Sequence, residues 1–242
     1  MMNRHTFLTE NDYPQSPYSA RNRGVEKANG DVIVFLDANS RPHPKWLQSG
    51  IQCLQSTGEK MAAGAVEFDF GEKLTAGKIA DALTSIRMRE AVEERQVAYT
   101  ANLFVNKEVF ERAGLFEEGI RSGGDVRFCM KVVRLGFGIT YCKEAVVYKK
   151  ARTTLQLFKK RIRTGKGYYH SWKREKKRSS WVYNLLRSLK PTGLKSTRNV
   201  ALERYRKEFD RLRPRALFVL YVAGILEQVS FIIEFFKNRG KD

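Results

Sequence analysis

Short runs of β-branched and other apolar residues alternate with helix-like segments through the first 150 residues of the chain. The clearest run, Val32–Leu36, is apolar at every position and is therefore typical of a strand buried on both faces. Similar runs follow at residues 61–68, 98–106 and 139–148. Strands that alternate with helices in this way predict an α/β fold with a largely parallel sheet.

Helices are predicted between these strands from capping residues and from apolar residues three or four positions apart. Ser19 is the expected N-cap of the first helix, and Pro44 suits the first turn of the second. We expect helices over residues 19–29, 44–56, 77–96, 107–113 and 125–135.

Positive charge is concentrated after the α/β region. The chain has 45 Lys and Arg against 26 Asp and Glu, a formal net charge of +19. Residues 151–215 alone hold 21 basic and 4 acidic residues, so they carry +17 and the rest of the chain is nearly neutral. Such a segment suits nucleic acid, anionic lipid or a phosphorylated ligand. Because no groove-reading or base-stacking motif accompanies the charge, a nucleic-acid partner is not expected.

The last apolar segment, residues 216–236, is long enough to cross the hydrocarbon of a membrane. Glu227 near its centre would be costly there, so three alternatives remain: an interfacial or paired helix, a true span, and a packing helix of a soluble protein. The first two place the chain at a membrane. We therefore predict an α/β domain over residues 1–155, a basic helical extension over 156–213 and an apolar membrane-associated helix over 214–242.

Two acidic residues fall at places where α/β sheets bind ligands, the carboxyl ends of strands. Asp37 follows the strand Val32–Leu36, and Asp125 follows Gly123-Gly124 at the start of a predicted helix. A carboxylate beside a diphosphate can hold a divalent cation, and one at a helix N-terminus can accept a proton from a hydroxyl group. Both positions also suit a purely structural Asp, before a turn or at a helix N-cap.

Several blocks of the sequence follow one another in a specific order. They are SARNRG at 19–24, NGD at 29–31, FLDAN at 35–39, TANL at 100–103, VFERAGLF at 109–116, GGDV at 123–126 and AVVY at 145–148. Together they resemble the middle of a family 2 glycosyltransferase, over about residues 17–170. The resemblance implies the GT-A fold, a nucleotide-sugar-binding α/β domain.

The resemblance also implies an inverting sugar transfer from a nucleotide-diphosphate donor, with a UDP-sugar expected, to a hydroxyl group of a glycan or lipid-linked acceptor. Asp125 matches the family's catalytic base, which deprotonates that hydroxyl. Asp37 matches the first acid of the DxD motif and, with Asn39, would bind the donor diphosphate through Mg²⁺ or Mn²⁺. With the apolar helix, this reading places the chain at the cytoplasmic face of the cell membrane.

Further donor contacts are implied by position in the family. Arg21 and Asn22 fall where family members approach the nucleotide, and Asn102 lies on the strand that borders the sugar. Arg161 and Arg163 follow the last strand, where relatives cover the pyrophosphate, and Arg is suited to paired contacts with phosphate. These two residues are equally well explained as solvated positions of a very basic region.

The sequence departs from the family pattern in two ways. The motif reads Asp37-Ala38-Asn39, and the missing second charge should weaken a metal site. Family members begin with a strand, a helix and a strand that cradle the nucleotide, and nothing before Tyr18 has that character, so we expect the domain to be incomplete at its N-terminus. The alternative function is therefore a catalytically inactive, truncated glycosyltransferase-fold protein that acts by binding.

Overall fold

The computed structural model describes residues 7–13, 16–120, 122–174 and 204–238, which form two compact units. The first unit runs to Glu67 and resumes over Ile86–Lys149; the second contains Phe68–Ser85 and the chain from Lys150 onward. The predicted domain boundaries after residues 155 and 213 stay predictions, and they do not include the assignment of Phe68–Ser85 to the second unit. Residues 175–203 of the predicted basic extension lie outside the described residues.

In the described residues, five strands form one sheet in the order β1-β4-β3-β5-β2. Strand β1 pairs antiparallel with β4, β3 with β4, and β2 with β5. The prediction of a largely parallel sheet is therefore wrong for these three pairings. An apolar run shows that a strand is buried, but it carries the same pattern whichever way its neighbours run. The strands are β1 Val32–Leu36, β2 Ser40–Pro42, β3 Met61–Asp69, β4 Asn102–Asn106 and β5 Ile139–Lys150.

Helices fill the segments between the strands and follow the sheet. They are α1 Pro17–Lys27, α2 Trp46–Thr57, α3 Ala76–Thr84, α4 Met88–Arg95, α5 Lys107–Ala113, α6 Gly124–Arg134, α7 Thr154–Arg174 and α8 Arg206–Asn238.

Two helix predictions need correction. The N-cap of α1 is Ser16 rather than Ser19: the Ser16 hydroxyl accepts a hydrogen bond from the Ser19 amide, and Pro17 occupies the first helical position that it favours. The helix predicted over residues 77–96 is two helices, because the backbone turns extended at Ser85. The Ser85 hydroxyl there donates a hydrogen bond to the buried Asp81 carboxylate.

Each unit has its own apolar core. In the first unit, Phe35 of β1 packs edge-on against Phe116 and Phe110, and Phe128 of α6 stacks on Phe110. In the second unit, α8 packs against α3 and α7 through two clusters of buried apolar residues. Of the helices described, α8 is long and apolar enough to cross a membrane, and a third of its apolar window is buried within the unit.

Candidate active site

The turn after β1 places Asp37 and Asn39 beside a buried lysine of β5. The turn is closed by a hydrogen bond from the Ser40 amide to the Asp37 carbonyl, and Ser40 lies opposite Lys149 in the pairing of β2 with β5. The Lys149 ammonium donates to Asp37 Oδ2 at 2.5 Å and to Asn39 Oδ1 at 2.8 Å. Lys149 is only 2% exposed, so this ammonium is enclosed by its two partners.

Helix α1 connects this pair to Asp125. The Arg21 guanidinium lies 3.8 Å from Asp37 Oδ1 and 5.2 Å from the centre of the Tyr18 ring. The Tyr18 hydroxyl donates a hydrogen bond to Asp125 Oδ1 at 3.3 Å. A continuous series of contacts therefore runs from Lys149 to Asp125 within the first unit. We call these residues, together with Asn39, the Asp37–Asp125 cluster.

Two glycines allow Asp125 to take its position at the start of α6. Gly123 has a φ of +81°, in the left-handed region that glycine adopts without strain. A Cβ on Gly124 would lie 2.7 Å from the Tyr18 ring, so only glycine lets the ring approach the helix backbone. The pair thus brings Tyr18 and Asp125 together, and Asp125 lies in the first helical turn, where the helix dipole favours a negative charge.

Burial makes Asp125 a stronger base than an ordinary carboxylate. Loss of solvent raises the pKa of Asp125, although the Val126 amide, the charge of Arg21 and the Tyr18 hydroxyl act against the increase. Burial and the nearby Asp125 charge also raise the pKa of Tyr18 to about 12. Tyr18 therefore keeps its proton at neutral pH and remains a hydrogen-bond donor to Asp125.

Asn22 and Asn102 make their side-chain hydrogen bonds within the first unit. Asn22 is fully buried; its amide group donates to the Phe116 carbonyl and to Glu118, and its oxygen accepts from the Phe116 amide. Asn102 is also fully buried, and its side-chain hydrogen bonds join β4 to β3, β5 and α2. Both side chains order the first unit around the Asp37–Asp125 cluster. The donor contacts predicted for them stay predictions.

Arg161 and Arg163 belong to α7, in the second unit. The Arg161 guanidinium lies 2.7 Å from Glu227 Oε2 of α8, and both side chains are largely buried, at 19% and 11% exposure. Arg163 is exposed. The predicted pyrophosphate contact of these two residues stays a prediction.

Sequence reasoning missed Tyr18 and Lys149. The signal for Lys149 was present in β5, where Ala145, Val147 and Lys149 occupy alternate positions and are all buried. A lysine at an inward position of an alternating strand requires an anionic or polar partner. Tyr18 had no comparable signal, because its contact with Asp125 spans 107 residues of the sequence.

The side chains of the cluster do not fit the expected divalent cation. Its predicted ligands are Asp37 and Asn39, and an oxygen of each already accepts a hydrogen bond from Lys149. The described residues also contain no group of three or more His, Cys, Asp or Glu side chains that could hold a metal ion. A divalent cation in such a site takes its remaining ligands from a diphosphate and from water, so the contacts of Lys149, rather than the number of protein ligands, oppose a metal ion here.

The predicted resemblance is confirmed by comparison with known sequences. Residues 4–114 match the family model described as Glycosyl transferase family 2. Glycosyltransferase AglE of Haloferax volcanii is 36% identical over 161 residues, which cover 66% of this chain and 53% of that protein. The pre-mycofactocin glycosyltransferase of Mycobacterium tuberculosis is 29% identical over 153 residues, which cover 60% of this chain and 32% of that protein. The chain thus spans about half the length of the first relative and a third of the second.

The fold is shared with a solved glycosyltransferase. Mannosyltransferase PcManGT from Pyrobaculum calidifontis, in complex with GDP-Man and Mn²⁺, matches with a TM-score of 0.53 and 16% sequence identity. The match covers 94% of this chain and 67% of the mannosyltransferase. The α/β domain is therefore of the predicted GT-A type, while its predicted incompleteness at the N-terminus stays a prediction.

Proposed function

We propose that this chain, whose residues 4–114 match the model of glycosyl transferase family 2, transfers a sugar from a nucleotide-diphosphate donor to a hydroxyl group of an acceptor. The observation that carries the proposal is the series of contacts that joins Asp37, through Arg21 and Tyr18, to Asp125. It supplies a cationic group and a basic carboxylate in one cluster. Glycosyl transfer needs both, a cation for the departing diphosphate and a base for the attacking hydroxyl.

In the proposed reaction, the acceptor oxygen attacks the anomeric carbon of the donor sugar. A new carbon–oxygen bond forms while the bond from that carbon to the diphosphate oxygen breaks, and its electron pair leaves with the nucleoside diphosphate. The proton of the acceptor hydroxyl passes to Asp125, whose raised pKa favours proton uptake. A single displacement of this kind inverts the configuration at the anomeric carbon.

The donor we propose is a UDP-sugar, and a GDP-sugar is the alternative because PcManGT was solved with GDP-Man. The Mn²⁺ of that structure supports a divalent cation in this fold. The contacts of Lys149 with Asp37 and Asn39 oppose one in this chain, and we therefore assign no step of the reaction to a metal ion.

Helix α8 supports binding at a membrane surface. Phe218, Tyr221, Val229 and Ile233 are exposed, and their spacing puts them on one side of the helix. The opposite side carries Glu227, which is buried against α7 and paired with Arg161. An apolar stripe on a helix whose charged residue faces the protein favours an interfacial helix over a span.

The net charge of +17 over residues 151–215 favours the cytoplasmic face, because anionic lipids are concentrated in that leaflet. A membrane surface in turn favours a lipid-linked acceptor, whose sugar or phosphate end projects from the bilayer. We keep a soluble glycan as the other acceptor class.

The catalytic assignment is tested with Asp125→Asn. UDP-sugars and GDP-sugars are incubated with the chain and a membrane lipid extract, and the release of nucleoside diphosphate is measured. Asp125→Asn should lower the rate by about 10²-fold to 10⁴-fold, the usual contribution of a general base, while leaving the affinity for UDP unchanged. Asp31→Asn, at an exposed position of the same unit, is the control and should change neither. Full turnover in Asp125→Asn would refute the assignment.

Membrane binding is tested by flotation with vesicles of phosphatidylcholine alone and of phosphatidylcholine with an equal amount of phosphatidylglycerol. The chain should float with the anionic vesicles, and Phe218→Ser should reduce the floated fraction. Met130→Ser removes a similarly exposed apolar side chain from the first unit and should have no effect. If both variants float to the same extent, the exposed apolar side chains of α8 do not contribute to membrane binding.

A further inference from the structure

Lys149 fills the space that a cation would occupy between Asp37 and Asn39. Its ammonium lies within hydrogen-bond distance of one side-chain oxygen of each residue. These are the two side chains that the Asp37-Ala38-Asn39 sequence offers as metal ligands. The position of the lysine is fixed by the backbone, because β5 places residue 149 opposite Ser40 and with its side chain enclosed.

The charges around the Asp37 carboxylate favour an anionic ligand. Arg21 and Lys149 each carry one positive charge, Asp37 carries one negative charge, and Asn39 is neutral, so these four residues have a net charge of +1. Asp125, at the other end of the cluster, carries the balancing negative charge. A divalent cation bound to Asp37 and Asn39 would lie against the enclosed ammonium, where repulsion is strong because burial lowers the effective dielectric constant. A diphosphate is attracted by the same net charge.

The two cations differ in their access to a ligand. Lys149 is 2% exposed, whereas the side chains of Arg21 and Asp37 are 24% and 30% exposed. Arg21 is therefore the cation that can meet a phosphate oxygen, and its planar guanidinium suits paired hydrogen bonds with phosphate. The Tyr18 ring beneath Arg21 holds the guanidinium in this orientation.

We propose that Lys149 is a built-in replacement for the divalent cation, so that the donor diphosphate binds at Arg21 without a metal ion. This inference rests on the proposed function, because it concerns the donor site of the same reaction. Lys149 is a positioning residue here: it neutralises Asp37 and fixes the turn beside Arg21. Without Lys149, the Asp37 carboxylate would repel the diphosphate and its oxygen would become available to a metal ion.

The first test is a calorimetric titration of UDP and of GDP into the purified chain, in EDTA and in Mn²⁺. The dissociation constant should agree within about twofold between the two conditions. Lys149→Met keeps most of the side-chain volume and removes the charge. It should weaken binding in EDTA by about tenfold, and Mn²⁺ should restore the affinity. Lys150→Met changes the exposed neighbouring lysine and should alter neither value.

A switch from metal-independent to Mn²⁺-dependent binding separates this role from a structural one. If Lys149 only stabilised the fold, Lys149→Met would lower stability or affinity equally in EDTA and in Mn²⁺. Where the variant does not fold, the titrations of the unmutated chain still test metal-independent binding, and Mn²⁺-dependent binding there would overturn the inference.

The second test measures Mn²⁺ binding by electron paramagnetic resonance and does not depend on any nucleotide. The unmutated chain should leave Mn²⁺ free in solution, and Lys149→Met should bind it. Stoichiometric Mn²⁺ binding by the unmutated chain that is lost in Asp37→Ala would overturn the inference. So would UDP or GDP binding that requires Mn²⁺, although the proposed function would then stand. Failure to bind UDP and GDP under both conditions would overturn the inference and the proposed function together.

Discussion

Replacement of Asn102 by alanine should destabilise the first unit strongly, because this buried side chain makes hydrogen bonds to three other elements. The Asn102 amide nitrogen donates to the carbonyl oxygens of Ala65 and Ala145, both at 2.8 Å. Its oxygen accepts a hydrogen bond from Trp46 Nε1, also at 2.8 Å. One fully buried side chain of β4 thus joins β3, β5 and α2.

The magnitude follows from these three hydrogen bonds. Each contributes about 1 kcal/mol net, and a buried partner left without a hydrogen bond costs about 1 to 3 kcal/mol. Because water can reach some of the three partners once the side chain is removed, we expect Asn102→Ala to cost about 3 to 5 kcal/mol. Asn102→Asp should cost at least as much at neutral pH, because a carboxylate oxygen would then face the two carbonyl oxygens.

The assay combines urea unfolding with a measurement of hydrogen exchange at the β4 amides. The exchange rates of these amides report on the first unit separately from the second. Asn106→Ala, at the end of the same strand, is the matched control and should change stability by less than about 0.5 kcal/mol. A loss below about 1 kcal/mol in Asn102→Ala would refute the reasoning. If the folded variant lost UDP affinity instead, Asn102 would have the donor contact that the sequence resemblance implies.

Three further outcomes are expected. Gly64→Ala would place a methyl group against the Ala145 carbonyl and the Asn102 amide. It should lower the free energy of unfolding by about 1 to 3 kcal/mol, measured by urea unfolding, and an unchanged urea midpoint would contradict this packing. Burial raises the pKa of Asp125, so its carboxylate is protonated, and the transfer rate falls, at a pH above the ordinary carboxylate range. A rate that stays constant down to about pH 4 would refute Asp125 as the base. The same shift means that the stability contributed by protonated Asp125 is lost as pH rises through its raised pKa. Glu227→Ala would leave Arg161 largely buried without its anionic partner and should cost about 3 kcal/mol in thermal or urea unfolding; a neutral effect would show that the pair is dispensable.

The local elements were largely predictable from the sequence. Strand β1 is recognisable because all five of its residues are apolar, and the polar turn that follows it marks Asp37 as a candidate ligand. Helix α6 is recognisable from its apolar spacing, and the two glycines before it place Asp125 at its start. These signals lie within a few residues of each other, so no tertiary information is needed.

The arrangement of the sheet was not predictable in the same way. The antiparallel pairing of β1 with β4 joins residues about 70 positions apart, and the apolar pattern of each strand is equally compatible with parallel neighbours. The break between α3 and α4 also escaped prediction, because it depends on Ser85 and on the buried Asp81. Burial alone would raise the pKa of Asp81, but the interactions with Lys160, Ser85 and Arg152 lower it by more. The pKa of Asp81 therefore lies below its usual value, and the carboxylate stays ionised.

In the candidate site, the sequence identified the charged residues but not how they are paired. Asp37, Asn39, Arg21 and Asp125 lie in one cluster, and the resemblance to the family selected all four. The enclosed Lys149 changes what Asp37 and Asn39 can bind, and its contact with them spans more than 100 residues. Asn102 was selected for the donor site because of its strand; the structure shows that it is buried and hydrogen-bonded, and its donor contact stays a prediction.

The account is tested most directly by the stereochemistry of the transferred sugar. Proton NMR of a reaction with an α-linked nucleotide sugar follows the anomeric proton from donor to product and shows whether the linkage is inverted. We predict a β-linked product whose formation is lost in Asp125→Asn. An α-linked product would contradict direct displacement with Asp125 as base. Binding of nucleoside diphosphates without transfer from any UDP-sugar or GDP-sugar would instead favour the catalytically inactive, binding alternative.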